Sequence, residues 1–324
     1  LSNNYIISID FGGTKILAGL LNSKGQILSR FKIPTQPYSS KLIIVKTLVK
    51  LIKDILKENA VNEESVRAIC IGIPGSVNPF TGIIGTAPNL KIYNFDIRAA
   101  MEKYISIPVL IENDVNLGAL GIQHFELNGK GRNFLVVFIG TGIGSALVFE
   151  SKLYRGSNYY AGEIGHIVIE PDGPECGCGN NGCFEAIASR TAIAREIKKE
   201  VKRKKKGALK QFVSSNKQIK SKALALAVKK QDPIALKHIE YSCEVIGRTL
   251  ANITNLLNLD LIVLGGGVIE ALGKFMLPKI KAAFKENVLK DLGKGINIIN
   301  TNLGDDAALY GGIALAEEME DLLK

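Results

Sequence analysis

The chain has 324 residues, long enough for two domains with buried cores. Its 46% hydrophobic and 22% charged residues are ordinary for a soluble globular protein. The net charge of +10 suggests nucleic acid, yet +7 of it comes from residues 195–210 (nine basic, two acidic), which leaves +3 elsewhere. That run closes an apolar-periodic helix, where cations suit the C-terminus. No aromatic residue is interleaved in it for base stacking, so nucleic acid is not an expected partner.

In chain order, Tyr5–Asp10 reads as an apolar strand, without the basic start and cleavage site of a signal peptide. The uncharged apolar stretch at residues 133–149 falls short of the roughly 20 apolar residues of a membrane span. No membrane partner is expected, and the expected location is cytoplasmic. Residues 5–21 and 134–149 share one pattern: apolar strand, glycine–threonine turn, apolar strand. Each predicts a β-hairpin, and together they suggest an internal duplication with a phosphate held between the halves.

Residues 41–58 have helical periodicity, 66–74 read as a buried strand, and 108–112 as a short strand delivering Asn113 and Asp114. From the cysteine cluster to about residue 258 the chain reads as mostly helical. Residues 261–264 form a strand running into glycines, 296–300 another strand, and a last helix starts near 307. The turn 140–144 is followed by a strand, not the helix that a dinucleotide fingerprint requires. Hinges are expected near 117–121 and 301–304. The expected domains are 1–118 with 302–324, a small α/β domain closed by the C-terminal helix, and 119–301, a larger α/β domain carrying the cysteines.

Three of five cysteines, Cys176, Cys178 and Cys183, lie within eighteen residues of His166. Thiolates and an imidazole in that number suit a four-coordinate zinc with no open position, hence a structural ion. A disulfide or unpaired thiols is the alternative, disfavoured by the intracellular character of the remaining chemistry. Cys70 and Cys243 read as core.

Asp10 ends the first strand beside Gly12, Gly13 and Thr14, where a carboxylate could hold magnesium next to triphosphate oxygens. Thr141 and Gly142 lie in the second phosphate turn, and Gly265, Gly266 and Gly267 let a flat adenine approach the backbone. Phosphoryl transfer to an alcohol needs a carboxylate to take its proton. Asp114 is the candidate, with Asn113 as a hydrogen-bonding neighbour; the competing reading makes Asp114 a helix N-cap. Glu163 and Glu185 bracket the cysteine cluster, where carboxylates suit a polyol. His166 can bind metal through one ring nitrogen and a sugar hydroxyl through the other.

These motifs, spread over nearly the whole chain, resemble those of the ROK family of the actin-like ATPase superfamily. The matches are Asp10–Lys15, Glu112–Asn116, Gly140–Gly144, Glu163–His166, Cys176–Glu185 and Gly265–Gly267, with Val115 where alanine is commoner. The resemblance implies a two-domain α/β fold of the actin-like, ribonuclease H-like type with an interdomain active-site cleft. It implies an ATP-dependent sugar kinase using Mg2+, with nucleotide contacts from Asp10 through Lys15 and zinc on His166, Cys176, Cys178 and Cys183. Asp114 would be the base, with sugar contacts from Asn113, Asp114, Glu163, His166 and Glu185. It also implies a homodimer or a dimer of dimers. Gly75 and Asn89, within Ala87–Leu90, resemble the glucokinase branch, so glucose phosphorylated at its 6-hydroxyl is expected ahead of N-acetylmannosamine or fructose. The family's other arm, sugar-responsive repressors, carries a helix-turn-helix before the first phosphate motif; nine residues precede Asp10 here, which disfavours that reading. Intact Asp10, Asp114 and phosphate turns disfavour a non-catalytic sugar binder.

Overall fold

The computed structural model describes residues 4–35, 40–128, 130–215 and 217–323. The chain forms two compact units: residues 1–130, 153–161 and 305–324 make unit 1, and residues 131–152 and 162–304 make unit 2.

Unit 1 begins with β1 (Tyr5–Phe11), β2 (Lys15–Asn22) and β3 (Ile27–Pro34), an antiparallel meander. Helix α1 (Lys41–Glu58) starts on a Ser40 cap and buries Ile44, Leu48, Ile52 and Ile55 at helical spacing. β4 (Val66–Ile73) is buried on both faces, as its continuous apolar run requires of a central parallel strand. A small sheet of β5 (Ser76–Asn78), β6 (Ile83–Ala87) and β7 (Ile92–Asp96) follows. Then come α2 (Ile97–Glu102), β8 (Val109–Asn113) and α3 (Asp114–Gly121). The main sheet has the order β3-β2-β1-β4-β8, with β1, β4 and β8 parallel.

Unit 2 repeats this plan. β9 (Phe134–Ile139) and β10 (Ile143–Phe149) form the second hairpin, and β11 (Lys152–Tyr154), whose last two residues count with unit 1, is a short edge strand. Helices α4 (Phe184–Ala188), α5 (Arg190–Lys204), α6 (Lys210–Ser214), α7 (Ser221–Lys229) and α8 (Pro233–Leu257) come before β12 (Leu261–Gly265). Helices α9 (Gly267–Asn287) and α10 (Lys290–Gly293) then lead to β13 (Asn297–Asn300). The order β11-β10-β9-β12-β13, with β9, β12 and β13 parallel, matches the first sheet strand for strand. The hairpin likeness read in the sequence is therefore a likeness of whole sheets.

The last helix, α11 (Ala307–Glu318), lies on the unit 1 sheet, where Ser8 Oγ donates to Ala308 O (2.9 Å) and Cys70 Sγ to Gly312 O (3.1 Å). The units differ in extent from the expected 1–118 plus 302–324 and 119–301. Residues 117–121 are no break: α3 runs through them into a π-helical turn, Ile122–Glu126, and the chain leaves unit 1 only at 130. Among the described residues no helix is long and apolar enough to cross a membrane.

Candidate active site and metal centre

In unit 1 the carboxyl ends of three parallel strands lie at one level. Asp10 is in register with Gly72, and Gly72 with Glu112, and open α/β sheets bind ligands at such ends. Gly12, Gly13 and Thr14 form the turn between β1 and β2, and Asn89 lies against it: a Cβ on Gly13 would stand 3.3 Å from that of Asn89. Burial pushes the Asp10 carboxyl up to about 7, with the charge of Asp114 adding to the effect and Lys15 opposing it. Neighbouring carboxylates held this way suit a divalent cation. Lys15 itself is ion-paired to Asp305.

Asn113, not Asp114, caps α3. Its Oδ1 accepts from Val115 N (2.9 Å) and Asn116 N (3.1 Å), which makes Asp114 the first helical residue. The N-cap reading of Asp114 is thus set aside. Asn113 Nδ2 donates to Gly75 O (3.0 Å), so one amide hydrogen remains for a ligand. Gly75, Asn89, Asn113 and Asp114 therefore share unit 1 with Asp10 and the first glycine–threonine turn.

Beneath them lies a network the sequence reading missed. Glu112 is 1% exposed; its Oε1 accepts from Asn113 N (2.8 Å) and Asn116 Nδ2 (3.0 Å), and its Oε2 from Arg155 Nε (2.6 Å). Arg155 also donates to both oxygens of Glu318 on α11 (2.6 and 3.2 Å). Burial lowers the affinity of Arg155 for its proton, but the hydrogen bonds and charges of Glu318 and Glu112 outweigh that and hold its pKa above the usual guanidinium value. The available signal was an acidic residue closing an apolar strand; its partner was not readable.

In unit 2 the second glycine–threonine turn, 140–142, is fastened to the start of α5. Arg190 N donates to Gly140 O (3.0 Å), Arg190 Nη2 to Thr141 Oγ1 (2.6 Å) and Thr191 Oγ1 to Thr141 O (2.7 Å). Glu185 sits against the same turn, its Oε2 accepting from Ile143 N (2.7 Å). A Cβ at position 142 would come 2.1 Å from that oxygen, so any larger residue there displaces the Glu185 carboxylate. Gly265 ends β12 in register with Phe138, so the glycines 265–267 and the turn 140–142 occupy the carboxyl ends of adjacent strands.

The cysteine cluster adjoins Glu185. The ligand atoms of His166, Cys176, Cys178 and Cys183 all lie within 4.8 Å of one another, with Cys178 Sγ and Cys183 Sγ 3.6 Å apart and Cys176 Sγ 3.6 Å from His166 Nδ1. Tetrahedral zinc with bonds of about 2.3 Å to sulfur sets ligand–ligand edges of roughly 3.6–3.8 Å. The five cysteines are unbridged, and three thiols gathered beside an imidazole fit a zinc ion, whose charge would let them ionise. A tight loop shapes the cluster, with Cys176 N bonded to Asn180 O (2.8 Å) and Gly179 N to Cys176 O (3.0 Å). Gly182, at φ +70°, passes so close to Glu170 O that no side chain fits. His166 turns Nδ1 to the cluster and Nε2 toward Glu163 Oε2 (3.9 Å). Burial raises the Glu163 pKa, His166 opposing and Glu185 adding to it, so Glu163, His166 and Glu185 form one group.

A family model described as ROK family matches residues 6–319. Glucokinase from Halalkalibacterium halodurans is 30% identical over 325 residues, covering 100% of this chain and 98% of that protein. The xylose repressor of Caldicellulosiruptor bescii is 29% identical over 312 residues, 96% of this chain and 77% of that protein. Among solved structures, a ROK family glucokinase from Streptomyces griseus in complex with glucose and AMPPNP superposes with a TM-score of 0.83 at 29% identity, over 97% of this chain and 99% of that one. The match runs from β1 to the end of α11 and so takes in both main sheets, both glycine–threonine turns and the cysteine cluster: the chain belongs to the ROK family.

Proposed function

We propose that the protein is an ATP-dependent hexose kinase that phosphorylates glucose at its 6-hydroxyl. The observation that carries this reading is the setting of Asp114: it is the first residue of α3, which Asn113 caps, its charge acts on Asp10, and the buried Glu112 holds the backbone N–H of the neighbouring Asn113. Full-length similarity to proteins named glucokinase supports both the reaction and the sugar. Asp114 accepts the 6-hydroxyl proton as that oxygen attacks the γ-phosphorus. Gly75, Asn89, Asn113, Glu163, His166 and Glu185 hold the remaining hydroxyls, and a wrong epimer leaves some of these polar groups unpaired. Gly12–Lys15 with Thr141 and Gly142 hold the phosphates, and Gly265–Gly267 accommodate the adenine. Asp10 would hold magnesium, which neutralises charge on the transferring phosphoryl group. His166, Cys176, Cys178 and Cys183 would hold a structural zinc that fixes Glu185 and the ring of His166.

The test is Asp114→Asn assayed against a panel of glucose, N-acetylmannosamine and fructose. Turnover should vanish while glucose binding by calorimetry survives; near-normal turnover refutes the role, and a better substrate than glucose reassigns the sugar. A homodimer belongs to the same reading and is checked by sedimentation equilibrium. The similarity to a xylose repressor supports a second, DNA-binding reading, which specific retardation of DNA in a gel at physiological salt would favour.

A further inference from the structure

A backbone turn binds an anion through N–H groups aimed to one side. Glycine does not fix that aim, because it leaves the neighbouring peptides free to rotate. In both glycine–threonine turns the aim is fixed from outside, and a threonine hydroxyl takes part in each. In unit 1, Thr35 directly follows β3 and holds two carbonyls of the first turn: its Oγ1 donates to Gly12 O (2.6 Å) and its N to Thr14 O (3.0 Å). In unit 2, Thr191 Oγ1 donates to Thr141 O (2.7 Å). The carbonyls on either side of it are taken as well, Gly140 O by Arg190 N (3.0 Å) and Gly142 O by Gly140 N (2.9 Å).

A trans peptide is planar, and its C=O and N–H point in opposite directions. Holding Gly12 O therefore turns the N–H of Gly13 away from Thr35. Holding Thr141 O turns the N–H of Gly142 away from Thr191, and holding Gly140 O turns that of Thr141 away from Arg190. Among the described residues these three N–H groups donate to nothing. Gly13 and Thr141 are exposed and Gly142 is half-buried. Each turn thus has its carbonyls engaged on one side and unused donors on the other, the polarity that phosphate oxygens require.

Two simpler explanations fall short. Thr35 is half-buried and Thr191 exposed, so water could satisfy either hydroxyl and neither needs the carbonyl for its own sake. Inheritance from a duplicated sheet does not explain the pair either. The strand of unit 2 that corresponds to β3 is β11, whereas Thr191 lies in the first turn of α5. Different elements supply the same bond, which marks it as a requirement of the turn.

We propose that Thr35 and Thr191 are positioning residues, whose hydroxyls clasp the two turns so that the N–H groups of Gly13, Thr141 and Gly142 are aimed in advance at the phosphates of the nucleotide. The proposal rests on the kinase reading, which supplies the anion.

The test uses the full chain as Thr35→Val and Thr191→Val, which lose the hydroxyl and nearly keep the shape, beside Thr35→Ser and Thr191→Ser, which keep the hydroxyl. Calorimetry gives the affinities for MgADP and for glucose, and initial rates give kcat/KM for ATP. Each valine variant should bind MgADP about three- to tenfold more weakly, the equivalent of one hydrogen bond, and lose at least as much in kcat/KM for ATP. Glucose affinity should stay within about twofold of the native value, and each serine variant should recover most of the loss. A valine variant whose MgADP affinity stays within about twofold of native overturns the proposal. Glucose affinity that falls in step with MgADP affinity, or serine variants as impaired as the valine ones, also overturn it, since either result marks lost packing in place of a lost hydroxyl. A native protein that binds no MgADP overturns it too. A native protein that binds MgADP yet forms no glucose 6-phosphate counts against the kinase reading alone, and the MgADP titrations still judge the clasps.

Discussion

Replacing Arg155 by Met removes one half of a buried ion pair while nearly keeping its bulk. The Arg155 side chain is 10% exposed and that of Glu112 is 1% exposed, 2.6 Å apart. Leaving a buried charge without its partner costs about 3–5 kcal/mol, a large share of a total stability of roughly 5–15 kcal/mol. At about 2–4 °C per kcal/mol for a unit of this size, the melting temperature should drop by roughly 6–20 °C. The stranded carboxylate also holds Asn113 N and Asn116 Nδ2, so the start of α3 should loosen and kcat should fall more than glucose affinity. Scanning calorimetry and initial rates at 25 °C measure the two effects. The double variant Glu112→Gln/Arg155→Met no longer buries a charge and should recover much of the lost melting temperature, though not the full rate. If Arg155→Met melts within about 2 °C of the native protein, or the double variant melts no higher than the single one, the bridge does not support α3.

Three further outcomes follow from the geometry. Cys183→Ser should take zinc measured by mass spectrometry from one ion per chain to near none, and weaken glucose binding while nucleotide binding changes little; unchanged glucose affinity would make the cluster purely architectural. Gly142→Ala places a methyl where a Cβ stands 2.1 Å from Glu185 Oε2, so it should break the bond from Ile143 N, at a cost of about 1.5–3 kcal/mol seen in thermal melts. Glu200 is held to about 2 by hydrogen bonds from Lys204, then Lys237 and His238. The folded state therefore binds that proton less readily than the unfolded chain, whose carboxyl titrates near ~4.3. The stability Glu200 contributes is complete near neutral pH and is lost as pH falls through about 4 toward 2. The difference between the native protein and Glu200→Gln in denaturant titrations should shrink over that window; a constant difference would falsify this account.

Much of the fold was legible because its signals are local. The hairpins at 5–22 and 134–149 announce themselves by apolar runs on either side of glycine turns, and the helix at 41–58 by its period. The cysteine–histidine cluster was legible because three of its four residues fall within eight positions. What escaped is non-local or a matter of which neighbour takes a shared task. Arg155 meets Glu112 across 43 positions and Glu318 across 163; nothing in either neighbourhood announces the partner. Asn113 and Asp114 are both good caps, and only the end of β8 decides that the asparagine is the one with extended backbone. The small sheet β5–β7 is built from strands of three to five residues, too short to show a period. Arg190 starts α5, and its contact with Thr141 across 49 positions is likewise announced by nothing local.

The interleaving of the units bears on how the chain is made. Residues 162–304 leave the ribosome as one stretch, and only the 131–152 hairpin segment need join them to complete unit 2. Unit 1 starts first yet lacks α11 until residues 305–324 emerge, and Glu112 waits 43 residues for Arg155 and longer for Glu318. During translation the later half should therefore become protease-resistant first, with a carboxylate and an apolar sheet face of the earlier half exposed to chaperones meanwhile.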